Sequence, residues 1–348
     1  MSDISIRKAG HAGRITLTRP DALNALTHEM CLAIEGALDA WRTDPEIALI
    51  VIDAVGERAF CAGGDIAKMY INGKHGDYDY GRRFWRDEYR MNAKLFEFPK
   101  PVATFLHGFV MGGGVGIGCH GSHRIVCESS RIAMPECGIG LVPDVGGSLL
   151  LARAPGRLGT YLGVTAARMG PGDAIHGGFA DYFIPEEGWR DLIADLERTG
   201  DWERIDAIAQ TAPEGPLSRA GTEIDALFAG ETARDIINAL MASESTFAGE
   251  ALKMVLKNAP LSIAATVQMI HRLRSATSIR QALEMEYRFT HRAMEHADFL
   301  EGIRAAIIDK DRRPQWRHAG VADVTNAEVS RILMPLGAEG LTFEKDTA

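Results

Sequence analysis

Two carboxylates lie within a stretch rich in glycine and proline, residues 134–147. Glu136 and Asp144 are eight positions apart, and the intervening breakers exclude one regular helix, although turns can bring both acids to one pocket. Because Glu136 belongs to the apolar segment 132–142, burial should raise the pKa of its carboxyl into a range that suits proton transfer. The alternatives are a surface position for Glu136 and a helix N-cap at Asp144.

Two glycine-rich turns follow segments that predict buried strands. The first is Phe-Cys-Ala-Gly-Gly-Asp at 60–65, and the second is the glycine run at 111–118. Glycine inside a helix costs roughly 1 kcal/mol relative to alanine, so the second run needs a reason. Either the helix packs closely, or its first N–H groups face an anion or a developing oxyanion. For the first turn the alternative is an ordinary strand-to-helix turn, with Asp65 capping the helix.

A further carboxylate falls on an apolar helix face. In the predicted helix 80–98, Phe84, Met91 and Leu95 recur at spacings of three and four, and Glu88 shares their face. A charge on a buried stripe needs a partner or a function. The pattern leaves two possibilities open, a buried ion pair with an arginine and a site residue.

Other reactive patterns in the chain are weaker. Residues 116–121 match G-x-G-x-x-G, and Glu136 comes 20 residues after the first glycine, as in a dinucleotide fingerprint. However, that acid should end a strand, and here it precedes a glycine-rich loop, so an NAD-dependent dehydrogenase is a distant alternative. His120 and His123 lack further ligands at metal-site spacing, and Cys61 lacks an evident histidine partner. We therefore predict packing or surface roles for the two histidines, an apolar packing role for Cys61, and no metal site.

Composition excludes several classes of protein. The 348 residues include 38 Lys plus Arg and 47 Asp plus Glu, giving a net charge of −9, with 46% hydrophobic residues. This mix is typical of a soluble globular protein and lacks the basic surplus of a nucleic-acid binder. There is no apolar run long enough to span a membrane, and no signal pattern begins the sequence. Five cysteines without a CxxC pair predict reduced thiols in a cytoplasmic protein.

Strand and helix patterns alternate in the first half of the chain. A hairpin around Gly13 precedes a helix that Thr27 caps and Pro45 stops. Buried strands are predicted at 47–52, 102–106 and 124–127, and helices follow at 187–199, 222–242, 244–257, 261–275 and 278–296. The sequence thus predicts an α/β core over residues 1–185 and a helical C-terminal region over 186–348.

These motifs resemble the crotonase (enoyl-CoA hydratase/isomerase) superfamily, and most closely its branch of hydrolases that act on 3-hydroxyisobutyryl-CoA. The resemblance covers nearly the whole chain and rests on residues 19–20, 24–26, 59–65, 107–108, 111–116, 134–147, 285–288, 298–305 and 308–311. It implies a crotonase-like α/β spiral of ββα units, with C-terminal helices that complete the CoA site and the oligomer contacts. It also implies a homo-oligomer, either a trimer or a hexamer.

The resemblance implies an acyl-CoA substrate, whose CoA is part of the substrate and not a separate cofactor. Backbone N–H groups of Gly64 and Gly113 would form an oxyanion hole, in which one donor is worth about 10²–10³ in rate. Glu136 and Asp144 would be catalytic and would contact the substrate. Glu88 would bind the substrate without a catalytic role. The expected reaction is hydrolysis of 3-hydroxyisobutyryl-CoA to 3-hydroxyisobutyrate and CoA, a step of valine breakdown.

One departure from the hydratases of the superfamily separates the alternatives. Those relatives carry a first catalytic glutamate three residues after the second oxyanion-hole glycine, where this chain has Gly116. An isomerase or hydratase of the same superfamily and a catalytically silent CoA binder remain as alternatives. The resemblance also places Ala62 at the substrate. The candidate cations for the CoA phosphates are Arg58, Lys68 and Lys310. The alternative for each is an ordinary solvated position on the surface.

Overall fold

The computed structural model describes residues 3–344, so the outermost residues of both predicted domains lie outside it. The strands are β1 Ile4–Ala9, β2 Ala12–Leu17, β3 Leu49–Ala54, β4 Ala59–Cys61, β5 Val102–Leu106, β6 Phe109–Met111, β7 His123–Val126, β8 Arg131–Ala133 and β9 Tyr182–Phe183. The helices are α1 His28–Trp41, α2 Ala67–Lys74, α3 Asp79–Phe96, α4 Gly113–Gly118, α5 Gly147–Arg153, α6 Leu158–Thr165, α7 Pro171–His176, α8 Trp189–Thr199, α9 Glu203–Ile208, α10 Pro216–Arg219, α11 Gly221–Leu227, α12 Ala233–Ala242, α13 Thr246–Val255, α14 Pro260–Leu273, α15 Ile279–His296, α16 Phe299–Ile303 and α17 Asn326–Ile332.

The larger sheet has six strands in the order β1-β2-β3-β5-β7-β9. β1 and β2 form the predicted antiparallel hairpin, and every later pair is parallel. The hairpin turns at Gly10, where φ is +55°, three residues before the Gly13 around which the sequence placed it. Gly13 lies inside β2, where a side chain would collide with the Trp41 ring. Helix α8 packs on this sheet through the buried side chains of Trp189 and Leu196.

The smaller sheet has three parallel strands in the order β4-β6-β8, which the sequence analysis did not predict. Each of its strands is only three residues long. The chain visits the two sheets alternately, through β3 and β4, then β5 and β6, then β7 and β8. Each pair is one turn of a spiral, so the predicted spiral of an α/β fold is confirmed.

The chain divides into two compact units, each built from separated segments. The first unit contains residues up to Gly64, Asp87–Ala133 and Arg168–Ser218, and it holds both sheets. The second contains Asp65–Arg86, Met134–Ala167 and the residues from Arg219 onward, and its regular elements are helical. The predicted boundary near residue 185 stays a prediction.

Helix predictions succeed where a cap is readable from the sequence. Thr27 caps α1 by accepting from Met30 N, as predicted. The single helix predicted over 222–242 is wrong, because α11 ends at Leu227 and Thr232 begins α12 with its own capping box. In the part of the chain that the structure describes, no helix combines the length and apolar character needed to cross a membrane.

Candidate active site

Gly64 and Gly113 come together in the first unit from two different turns. A methyl group built on Gly113 would lie 3.3 Å from Gly64 N and 3.0 Å from Glu88 Oε1. Gly64 follows β4 and is held by a bridge to Leu26, whose N–H donates to Gly63 O at 2.9 Å. Any side chain at position 113 would therefore fill the space beside the amide and the carboxylate.

The two glycine amides have no acceptor among the residues that the structure describes. Within residues 3–344, neither Gly64 N nor Gly113 N donates a hydrogen bond. The neighbouring Ala62 N, in contrast, donates to Leu23 O at 3.0 Å. Gly113 is the first residue of α4, where amides have no acceptor within the helix. Two adjacent amides that are left for an outside acceptor are what an oxyanion hole requires.

Close packing explains other glycines of the same run. A side chain at Gly114 would collide with Cys61 O, and one at Gly118 would come within 2.6 Å of Leu106. Both reasons that the sequence offered for the glycine run therefore apply: close packing at Gly114 and Gly118, and an N–H group for an outside acceptor at Gly113. Asp65 does not cap α2, whose first turn has no side-chain cap, so that expectation is wrong.

Helix α3 presents Glu88 as the sequence predicted. Phe84, Glu88, Met91 and Leu95 are 2%, 3%, 0% and 1% exposed, which confirms the buried stripe. The preceding residue makes an ion pair with an arginine, because Arg90 Nη1 donates to Asp87 Oδ1 at 2.9 Å. For Glu88 itself both possibilities, an ion pair and a site residue, stay open.

A buried ionic network fixes α3 to α1 in this unit. Arg90 donates to both oxygens of Glu35, at 2.6 and 2.8 Å, and Lys94 Nζ lies 2.8 Å from Glu35 Oε1. His28 Nε2 lies 2.7 Å from Asp87 Oδ2. Burial opposes the ionisation of Glu35, but hydrogen bonds from Arg90 and Lys94 outweigh it and lower its pKa. Both partners of this pair thus stay charged.

Glu136 and Asp144 both lie in the second unit and are buried. Each is 4% exposed, so the surface position for Glu136 is wrong. Glu136 begins a short 3₁₀ turn, Glu136–Ile139, which Gly140 closes in the left-handed region at φ +73°. This burial is the condition on which the predicted rise in the pKa of Glu136 depends, and that rise stays a prediction.

The alternative of a helix N-cap at Asp144 is wrong. Helix α5 has Gly146 at its N-cap position and receives no side-chain cap from its own turn. Glu286 on α15 takes that place: it accepts from Gly146 N at 2.8 Å, from Ser148 N at 3.1 Å and from the Ser148 hydroxyl. Sequence reasoning missed this role. The signal was available, since Glu286 shares a buried face with Leu283 as Glu88 does with Phe84.

The environment of Glu286 favours its neutral form. The side chain is wholly buried, and within the described residues it has no ion pair with a cation. Burial raises the pKa of Glu286 to about 8, and the charge of Asp144 acts in the same direction against the hydrogen bonds from Ser148 and Gly146. This carboxyl therefore titrates near neutral pH.

The C-terminal motif at 298–305 supports the turn that carries Glu136. A side chain at Gly302 would collide with Ile139 O, and one at Gly140 would come within 2.5 Å of Asp298 O. Cys137 O in the same turn accepts from Ala259 N at 2.9 Å. Residues far along the chain thus hold this acid-bearing turn in place.

The remaining predicted residues differ in exposure. Ala62 is partly buried, whereas Arg58, Lys68 and Lys310 are exposed, which suits a phosphate contact and solvated surface equally well. Lys310 follows the π-helical turn Arg304–Ile308 with a left-handed φ of +57°.

The weaker patterns resolve into packing. His120 and His123 are buried, and their rings pack against Phe96 and Tyr182. Burial raises the pKa of Cys61 to about 12, which opposes a nucleophilic thiolate. Among residues 3–344 no cluster of three or more His, Cys, Asp or Glu side chains could hold a metal ion.

The spiral of paired sheets and the two glycine amides define a crotonase-type protein. The family model described as enoyl-CoA hydratase/isomerase matches residues 12–333, and the chain belongs to that family. It is 36% identical to the 3-hydroxyisobutyryl-CoA hydrolases, named as mitochondrial, of Gallus gallus and Homo sapiens, over 98% of this chain and 91% of each relative.

Solved structures confirm the predicted fold class. An enoyl-CoA hydratase from Rhodobacter sphaeroides 2.4.1 is 57% identical, with a TM-score of 0.95 over 98% of this chain and 100% of that one. A carnitinyl-CoA dehydratase from Mycobacterium thermoresistibile is 38% identical, with a TM-score of 0.94 over 99% and 100%. The family assignment leaves the NAD-dependent dehydrogenase without support.

Proposed function

We propose that this chain is an acyl-CoA thioester hydrolase, and specifically that it converts 3-hydroxyisobutyryl-CoA and water to 3-hydroxyisobutyrate and CoA. The observation that carries the proposal is the pair of amides at Gly64 and Gly113, which adjoin the Glu88 carboxylate and have no acceptor within residues 3–344. Negative charge develops on the thioester oxygen during hydrolysis, and such donors stabilise it. The hydrolase names of curated relatives add support.

The choice of hydrolysis over hydration rests on Gly116. The 57% identical structure is called an enoyl-CoA hydratase, whereas the curated relatives at 36% are called hydrolases. The resemblance places a catalytic glutamate of the superfamily's hydratases at the position of Gly116. Because glycine cannot transfer a proton, this chain lacks that part of the hydration chemistry. The acids present, Glu136 and Asp144, fit the pattern of the hydrolase branch.

Two routes are open for the chemical step. Glu136 either attacks the thioester carbon, giving a mixed anhydride that water then opens, or acts as general base on water. In both routes the C–S bond breaks, the CoA sulfur takes a proton and one water is consumed. The water oxygen enters the carboxylate product, except where water opens the anhydride at the Glu136 carbonyl, when it enters Glu136 and a Glu136 oxygen leaves with the product. Asp144 orients the water or the 3-hydroxyl, and Glu88 binds the hydroxyl end of the substrate.

A single turnover in ¹⁸O-labelled water separates the two routes. The mixed anhydride route places label in the Glu136 carboxyl when water attacks the anhydride at that carbonyl, which mass spectrometry of the 134–147 peptide detects. The general-base route leaves Glu136 unlabelled and places the label in the product. The Glu136→Gln variant is the matched control for label that enters other acids.

The test of the function is a panel of 3-hydroxyisobutyryl-CoA, 3-hydroxypropionyl-CoA and crotonyl-CoA, followed with a thiol reagent. We expect thiol release, with 3-hydroxyisobutyryl-CoA giving the highest kcat/KM. Loss of crotonyl-CoA absorbance without thiol release would instead identify the hydratase or isomerase alternative. The Glu136→Gln variant again serves as the inactive control.

Other parts of the proposal concern binding and context. Arg58, Lys68 and Lys310 are proposed to contact the CoA phosphates, and Ala62 the acyl-CoA chain. A role in valine breakdown, assembly as a trimer or hexamer and a cytoplasmic location also remain proposals. The curated relatives carry the word mitochondrial in their names.

A further inference from the structure

The turn that carries Asp144 has a strained backbone. Val145 and Gly146 lie consecutively in the left-handed region, with φ of +54° and +79°. A β-branched residue rarely adopts this conformation, because its Cβ crowds the neighbouring carbonyl. Within the turn, Gly147 N donates to Asp144 O at 2.7 Å. Support from outside the turn is therefore needed to keep it in this conformation.

Glu286 provides that support from α15. One oxygen accepts from Gly146 N, and the other accepts from both the amide and the hydroxyl of Ser148. These are the hydrogen bonds of its carboxyl within the described residues, and all come from the segment immediately after Asp144. The carboxyl thus accepts hydrogen bonds from Gly146, the second residue of the strained pair, and from Ser148, the second residue of α5.

Joining α15 to the start of α5 through the buried Glu286 carboxyl costs free energy. Burying an acid without a cation is unfavourable, and an apolar side chain of similar size would pack without that penalty. The charge of Asp144 also raises the pKa of Glu286, so the two carboxyls are close enough to interact. The acid is therefore coupled to Asp144 both through the backbone and through space.

We propose that Glu286 is a positioning residue for Asp144: its hydrogen bonds fix the backbone of 145–148, and so hold the Asp144 carboxyl in the orientation that the reaction uses. This inference rests on the hydrolase function proposed above. A purely structural role, in which Glu286 only joins α15 to α5, would lower stability but leave the kcat of the folded enzyme unchanged.

Three variants separate these roles. Glu286→Met removes all three acceptor contacts at similar size, and Glu286→Gln keeps one acceptor oxygen. Leu283→Ala is the matched control, since Leu283 is also wholly buried on α15 and its truncation lowers stability without removing those hydrogen bonds. We measure kcat, KM and Tm for each variant with the acyl-CoA that the wild type hydrolyses best.

The expected loss of kcat is about 10²-fold for Glu286→Met, the scale of a misplaced catalytic group. KM should stay within about twofold, because the thioester is still bound. Glu286→Gln should recover part of the loss, and Leu283→Ala should keep kcat within about twofold at a similar fall in Tm.

The positioning role of Glu286 would be overturned by equal kcat in the Glu286→Met and Leu283→Ala variants, or by a Glu286→Met variant in which only KM changes. Either result would leave the proposed hydrolase function intact. If Glu286→Met fails to fold, Glu286→Gln decides: a lower kcat at unchanged KM supports the positioning role, and a wild-type kcat overturns it. A wild-type protein that releases no thiol from any substrate of the panel overturns the proposed function, and this inference with it.

Discussion

Two buried glutamates, one in each unit, have opposite electrostatic surroundings. Glu35 is 1% exposed and Glu286 is 0% exposed. Glu35 accepts from Arg90 and Lys94, which overcome the effect of burial and lower its pKa. Among the described residues Glu286 accepts only from peptide amides and a serine hydroxyl, and burial raises its pKa to about 8. The difference lies in the partner and not in the degree of burial.

This contrast separates acids that support the fold from acids that serve a site. A carboxylate paired with arginine keeps its charge and links α1 to α3, whereas one without a cation titrates near neutral pH. The second unit also holds the buried Glu136 and Asp144. We therefore expect substitutions at the network of the first unit to lower stability, and substitutions at the acids of the second unit to lower activity.

The largest expected effect is on turnover. Glu136→Gln should lower kcat by about 10²–10⁴-fold, since it removes the proposed nucleophile or general base while keeping the shape of the side chain. Affinity for CoA, measured by calorimetry, and the free energy of unfolding should both stay near the wild-type values. Loss of CoA binding would show instead that Glu136 has a structural role and would break the contrast.

The second effect is on stability, in the other region. Glu35→Gln leaves the buried Arg90 without its carboxylate and should lower the free energy of unfolding by about 3–5 kcal/mol. Urea denaturation measures this loss, and kcat should stay within about threefold of wild type at temperatures where the variant is folded. A loss of stability below about 1 kcal/mol would mean that Arg90 does not depend on Glu35.

The third effect is on the pH dependence of stability. Because the folded-state pKa of Glu286 is raised from 4.5 to about 8, its ionisation penalty is absent at acid pH and grows as pH rises toward 8. Glu286→Gln cannot ionise, so its stability relative to wild type should rise by about 2 kcal/mol from pH 6 to pH 8. Urea denaturation at both pH values checks this.

Glu35 should show the opposite slope. Its folded-state pKa is lowered, so the stability it contributes is present above the unfolded value of 4.5 and is lost as pH falls below it. The difference in stability between wild type and Glu35→Gln should therefore shrink in acid. If the stability difference between wild type and the Glu→Gln variant changes with pH in the same direction for both glutamates, their surroundings do not have opposite effects on ionisation.

The sequence predicted those elements of the fold whose patterns are long enough to read. Continuous apolar runs located β3 and β5, and the Thr27 cap located α1. The smaller sheet was missed because a strand of three residues is too short to show an alternating pattern. Such strands are set by pairing with their neighbours and not by their own composition.

The candidate site shows the same limit. The glycines near Gly64 and Gly113 were readable because they form clusters in the local sequence, and Glu88 stood out on an apolar stripe. The contact from Glu286 to Ser148 joins residues 138 positions apart, which no local pattern encodes. A cap was one alternative for Asp144 because N-cap statistics consider only nearby residues, whereas the distant Glu286 accepts the hydrogen bonds at the start of α5.

The smallest expected effect comes from Ser148→Ala. It removes the hydroxyl donor to Glu286 but keeps the hydrogen bond from the Ser148 backbone N–H. The free energy of unfolding should therefore fall by about 1 kcal/mol. The hydroxyl bond lowers the pKa of Glu286, so its loss should raise that pKa further and make the destabilisation larger at pH 9 than at pH 6. Lys94→Met is the matched change in the first unit, where Arg90 still holds Glu35, and it should lower stability by at most about 1 kcal/mol. Because Glu35 remains ionised and paired there, that loss should be equal at pH 6 and pH 9. A pH-independent loss in Ser148→Ala would show that the Ser148 hydroxyl does not distinguish the two protonation states of Glu286.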